Sequence, residues 1–137
     1  MKRSILLIAA SLLSIILLSL HFTDDTVYGS DKSAISNVIE AAVLVIWLYG
    51  ALALTERRSG YVMVLLGSVA GMVVFGVHAS RAGGVSAGPL ALSSGAFFFT
   101  WTLLALAVTS VFSAILSMLG LRDLRRSKAP NADATGY

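Results

Sequence analysis

Four apolar runs, each long enough to cross a bilayer, take up most of this chain of 137 residues: Ser4–Phe22, Ile35–Leu54, Tyr61–Ala79 and Ser94–Leu121. A helix rises about 1.5 Å per residue and the hydrocarbon core is about 30 Å thick, so about 20 residues suffice for one crossing. Lipid offers no hydrogen bonds, which leaves the helix as the way such runs satisfy their own backbone. The first three runs sit near the minimum length, while the fourth is longer and must tilt or protrude. The expected fold class is an all-α integral membrane protein: a four-transmembrane-helix, up-down bundle over residues 1–128, with a disordered tail at 129–137.

Composition supports this reading. Hydrophobic residues make up 57% of the chain and charged residues 12%, against about 25% charged in a soluble domain. Mean hydropathy is +0.86. Cysteine is absent, so disulfides, thiolate metal sites and thiol redox chemistry are excluded. Pro89 and Pro130 both lie outside the apolar runs, so no span is expected to be proline-kinked. Lys2 and Arg3 ahead of the first run resemble the start of a secretory signal, but Ser19-Leu20-His21-Phe22 offers no small-x-small cleavage site. We therefore expect a retained span.

Basic residues set the orientation. If the spans alternate, Lys2, Arg3, Arg57, Arg58, Arg122, Arg125, Arg126 and Lys128 fall on one side, and only Lys32 and Arg81 on the other. Both termini are accordingly expected in the cytoplasm, in a plasma membrane of bacterial inner-membrane type. The net charge of +3 is then a topology signal and gives no reason to expect nucleic acid. The Arg122/Arg125/Arg126/Lys128 cluster can meet anionic headgroups, although its simplest role is to anchor the last span.

Between the spans, Thr23–Ala34 carries Asp24, Asp25, Asp31 and Lys32, with Gly29-Ser30 as a turn signal. The short Thr55–Gly60 link implies an antiparallel hairpin of the second and third spans. The loop Arg81–Ser93 is glycine-rich and almost uncharged beyond Arg81. Helices in lipid associate through small residues. Gly67-x-x-x-Gly71 offers such a contact in the third span, Ala105, Thr109, Ser113 and Ser117 in the fourth, and Ala10 and Ser14 in the first. These stripes suit either the inside of one bundle or a homo-oligomer face. Phe97-Phe98-Phe99-Thr100-Trp101 reads as an interfacial aromatic belt.

Ionisable groups near the bilayer are the place to look for function. His21 ends the first span, Glu40 opens the second, and His78 closes the third, all at a similar depth. If the first helix continues, His21-x-x-Asp24-Asp25 puts imidazole and carboxylates on one face. His21, Asp24, Asp25, Glu40 and His78 are therefore the candidate metal-ligand set. Histidine with carboxylate suits a divalent metal such as zinc or copper, or non-haem iron. Two histidines on facing helices are also a haem-ligand pattern. The same groups could instead carry a proton, because histidine titrates near neutral pH. The simplest account is structural: polar residues end spans at the interface, and Glu40 could act as a first-turn acid favoured by the helix dipole.

No Ser/His/Asp set, HExxH or glycine-rich phosphate loop appears, so an enzyme is not expected. Size and span count are similar to those of the small multidrug-resistance exporters. Their working glutamate lies in the first span, whereas here that span has no acid and Glu40 lies in the second. By elimination, the expected role is a non-enzymatic accessory or structural subunit of a membrane assembly. Its partners would be the lipid bilayer and a membrane protein or a second copy of the chain, with no resident cofactor.

Overall fold

The computed structural model describes residues 2–28, 34–80 and 96–127. Among them are four helices: α1 (Lys2–Tyr28), α2 (Ala34–Leu52), α3 (Arg58–Ala79) and α4 (Ala96–Arg126). By length and composition, α1, α3 and α4 can each cross a membrane, while the apolar stretch of α2, Asn37–Leu52, is shorter. At 1.5 Å per residue, the 19 residues of α2 extend about 28 Å, just under the hydrocarbon thickness. Of the expected loop Thr23–Ala34, residues 23–28 are helical and 29–33 lie outside the described residues, as do the expected loop at 81–93 and the tail at 129–137. The helix start at Ala34 overturns the expected first-turn placement of Glu40, since no acid lies in the first turn of α2.

The two largest departures from the sequence reading are at the C-terminal ends of α1 and α4. α1 runs on past Phe22 to Tyr28 because nothing before Gly29 breaks a helix. Thr23 and Thr26 donate their hydroxyls to the carbonyls of Ser19 (2.8 Å) and Phe22 (2.7 Å), which keeps polar side chains satisfied within the helix. α4 likewise continues past Leu121 to Arg126, a position where cations complement the helix dipole.

The helices pack up and down. Arg3 pairs with Asp123 at one end of α1 and α4, and His21 stacks near Phe99 at the other, so the two run antiparallel. α3 also runs antiparallel to α4, with Gly120 against Tyr61 and Gly71 against Ser110. α2 and α3 form the expected hairpin through residues 53–57. Thr55 donates to the Ala51 carbonyl (2.9 Å), and Arg57 N–H to that of Leu54 (3.0 Å). Glu56 turns the corner with φ 66°, a left-handed conformation that costs a side chain with a Cβ about 1–2 kcal/mol.

The buried side of α1 is a stripe at three- and four-residue steps: Leu7, Ala10, Ser11, Ser14, Leu18 and His21. α1 packs on α4, whose buried side includes Leu103, Leu106, Ser110, Ser113 and Ser117, while Val64, Gly67, Ser68 and Gly71 are the buried side of α3. Both glycines of the Gly67/Gly71 motif are used inside the bundle. A Cβ on Gly67 would run into the Trp47 indole, and one on Gly71 into the Ser110 hydroxyl. In the fourth helix Ser113 and Ser117 are buried, whereas Ala105 and Thr109 are half-buried at the edge of the stripe. α2 contributes least, burying Trp47, Gly50 and Ala51.

Candidate functional site: an imidazole pair at one end of the bundle

Each helix brings its chemistry to the site by register. His21 continues the buried stripe of α1 by one more three-residue step, which turns its ring inward and leaves it 1% exposed. His78 lies in the last turn of α3, where a cation would complement the helix dipole. Antiparallel packing then sets the first turn of α4 beside both. The two imidazole centroids are 4.8 Å apart and nearly perpendicular, at 86°. Phe99 closes the third side, 5.2 Å from His21 and 5.5 Å from His78, and is itself 5% exposed.

The His78 ring has a defined orientation. Its Nδ1 lies 2.9 Å from the Val74 carbonyl oxygen. A carbonyl only accepts, so Nδ1 carries the hydrogen and the neutral ring keeps its lone pair on Nε2. Donation from one ring nitrogen to a backbone carbonyl is also how metal-ligating histidines are commonly oriented.

Of the five residues singled out from the sequence, the structure brings His21 and His78 together. Glu40 lines a different feature, an open groove of about 390 Å³ between α1 and α2 with Ser19, Phe22, Thr23, Thr26 and Asn37. At 100° per residue, Ser19 and Thr23 lie roughly opposite His21 on α1. Asp24 and Asp25 are helical, three and four residues beyond His21, but their side chains lie outside the described residues. Among the described residues, no group of three or more His, Asp or Glu side chains is placed to hold a metal ion.

Two features escape the sequence reading. Phe99 belongs to the expected aromatic belt, yet it turns inward while Phe97 (75% exposed), Phe98 and Trp101 face out. The only available signal was its place in the three- and four-residue spacing Phe99, Leu103, Leu106, Ser110. The second feature is a seam of hydroxyls through the bundle interior. Ser11, Ser14, Ser68, Ser110, Ser113 and Ser117 are all fully buried. Ser14 and Ser68 donate to carbonyls one turn back, at 3.0 and 2.8 Å. The Ser11, Ser110, Ser113 and Ser117 hydroxyls and the Trp47 indole nitrogen find no partner among the described residues. Leaving a buried donor unmatched costs about 1–3 kcal/mol. What the small side chains gain in return is close helix approach.

Compared with protein-family models, curated proteins and solved structures, the chain matches none of them.

Proposed function

We propose that this chain is a small non-enzymatic integral membrane protein, an accessory or structural subunit of a membrane assembly. In this reading it crosses a bacterial plasma membrane four times, with both termini in the cytoplasm. The observation that carries it is the state of α2. This helix buries only Trp47, Gly50 and Ala51, and leaves Ile35, Val38, Ile39, Val45, Ile46, Tyr49 and Leu52 exposed. A helix so little enclosed by its own chain has a long apolar surface for lipid or for a neighbouring helix. The orientation is supported by Arg3, Arg57, Arg58, Arg122, Arg125 and Arg126, which gather at the end opposite the imidazole pair.

Gentle solubilisation followed by native mass spectrometry tests the role. A stoichiometric membrane partner or a defined homo-oligomer, lost on Val45→Trp/Tyr49→Ala substitution in α2, is the expected result. A monomer with no partner in native membranes would remove the accessory role. Because the chain has no cysteine, single cysteines at Thr55 and Ser80 report topology through membrane-impermeant maleimide. Labelling of Ser80→Cys alone in intact cells is expected, and the reverse pattern would invert the orientation.

A second reading, a metal-binding or proton-linked component of such an assembly, rests on the His21–His78 contact. At 4.8 Å, two imidazolium charges would repel by about 3 kcal/mol even at an effective dielectric near 20. The proton form of this reading places the proton carrier at this ring pair. A metal between them would be bound through the Nε2 lone pair of His78, with His21 as the second ligand. Elemental analysis of protein purified without chelator, together with imidazole NMR, separates the cases. Bound zinc or copper that disappears in H21A/H78A supports the metal form. Metal-free protein in which His21→Ala changes the titration of His78 supports the proton form, and neither result would leave the pair as packing alone.

A further inference from the structure

At the arginine-bearing end, a half-enclosed pocket of about 170 Å³ opens between the α2–α3 turn, the start of α3 and the end of α4. It is lined by Glu56, Arg58, Leu121, Leu124 and Arg125. Two arginines from different helices thus line one concavity, and neither is held in an ion pair among the described residues. The first turn of α3 adds to the field. Arg57 at its cap is extended (φ −90°, ψ 151°) and makes no side-chain cap bond, and no acid occupies the turn. The positive end of the helix dipole therefore adds to the field at this end, while Gly60 in the same turn is buried against the Leu54 carbonyl.

Glu56 is the one acid on the wall, and it is engaged elsewhere. Its carboxylate accepts from the Ser4 hydroxyl at 2.9 Å, in the adjoining cleft that also holds Arg3, Tyr61 and Asp123. The remaining lining is leucine, on a helix that carries on as a continuous apolar surface. A free inorganic anion would make no use of that part of the wall. A phosphodiester with acyl chains below it would use both. We propose that this pocket binds the phosphate of an anionic phospholipid, with Arg58 and Arg125 holding the headgroup and Leu121 and Leu124 against the first carbons of the chains. The proposal rests on the membrane reading above. Basic pockets between helices at a membrane surface are suited to such headgroups.

The full-length chain, in phosphatidylcholine nanodiscs doped with phosphatidylglycerol, provides the test by native mass spectrometry of retained lipid. R58Q/R125Q is compared with R122Q/R126Q, which loses the same charge from the same end but outside the pocket. Losing the two arginines that hold the phosphate directly should weaken phosphatidylglycerol retention about thirtyfold, through charge-assisted hydrogen bonds that arginines outside the pocket do not make. The control pair should change it little, and Glu56→Gln should raise it. Equal losses in both arginine pairs, or no loss in either, would overturn the proposal. So would displacement of the lipid by millimolar inorganic phosphate alone, which would assign the pocket to a free anion. Circular dichroism of each variant guards against misfolding. Alkaline carbonate extraction separates the two levels of failure: a chain released from membranes sinks the membrane reading, and one that stays embedded yet retains no phosphatidylglycerol sinks only the pocket.

Discussion

The two ends of the bundle are closed by different physics. At one end, three rings from three helices, His21, His78 and Phe99, pack with centroids 4.8 to 5.5 Å apart, and His21 and Phe99 are almost fully buried. At the other, Arg3 pairs with Asp123 and Ser4 with Glu56, all largely exposed. Buried aromatic contact stabilises through area removed from solvent and through ring geometry. Exposed ion pairs give about 0–1 kcal/mol and weaken in salt. The same helices are therefore held tightly where the imidazoles lie and loosely where the arginines lie. Position along the helix, more than the number of polar contacts, decides what a substitution costs.

The sharpest way to break that contrast is Phe99→Ala. Removing the ring that touches both imidazoles should destabilise the bundle by about 3 kcal/mol, read as a lower midpoint in SDS titration of the protein in mixed micelles. A loss below about 1 kcal/mol would mean that this end is not locked by packing. An intermediate effect is expected from Gly120→Ala at the arginine end, where the added methyl would meet the Tyr61 ring. The expected cost is about 1–2 kcal/mol, and trimming the ring with Tyr61→Ala in the same chain should recover part of it. The smallest effect belongs to the charges. A double-mutant cycle of Arg3→Gln and Asp123→Asn should give a coupling under about 1 kcal/mol that disappears in molar salt. A coupling as large as the Phe99 effect would erase the distinction between the ends.

How much of this was legible in the chain depends on the range of the interaction responsible. The four helices and the α2–α3 hairpin follow from run length and from a short link, both local properties. The meeting of His21 and His78 was half legible. Their equal depth could be counted along each span, but adjacency depends on which helices are neighbours. Glu40 has a similar depth and still lines another groove, with Ser19 and Thr23, which lie roughly opposite His21 on α1. Phe99 was hidden for a related reason: Phe97, Phe98 and Phe99 are chemically identical, and only the phase of α4 against α1 and α3 selects the one that turns in. The serines at 110, 113 and 117 read as small packing residues, which they are. Their burial as a polar seam appears only once α1 supplies Ser11 and Ser14 across from them.

The contact between Trp47 and Gly67 has a mechanical meaning. The indole sits where α3 has no side chain, as a tooth sits in a notch. The next glycine one turn along α3, Gly71, is already filled by Ser110 from α4, and in the other direction Met63 abuts Gly50 of α2. Axial travel of α2 is thus stopped in both directions, while its exposed outer side leaves it free to swing about the tooth. A load along the axis of this helix would meet these stops first, whereas its exposed outer side offers no such stop to a tilt.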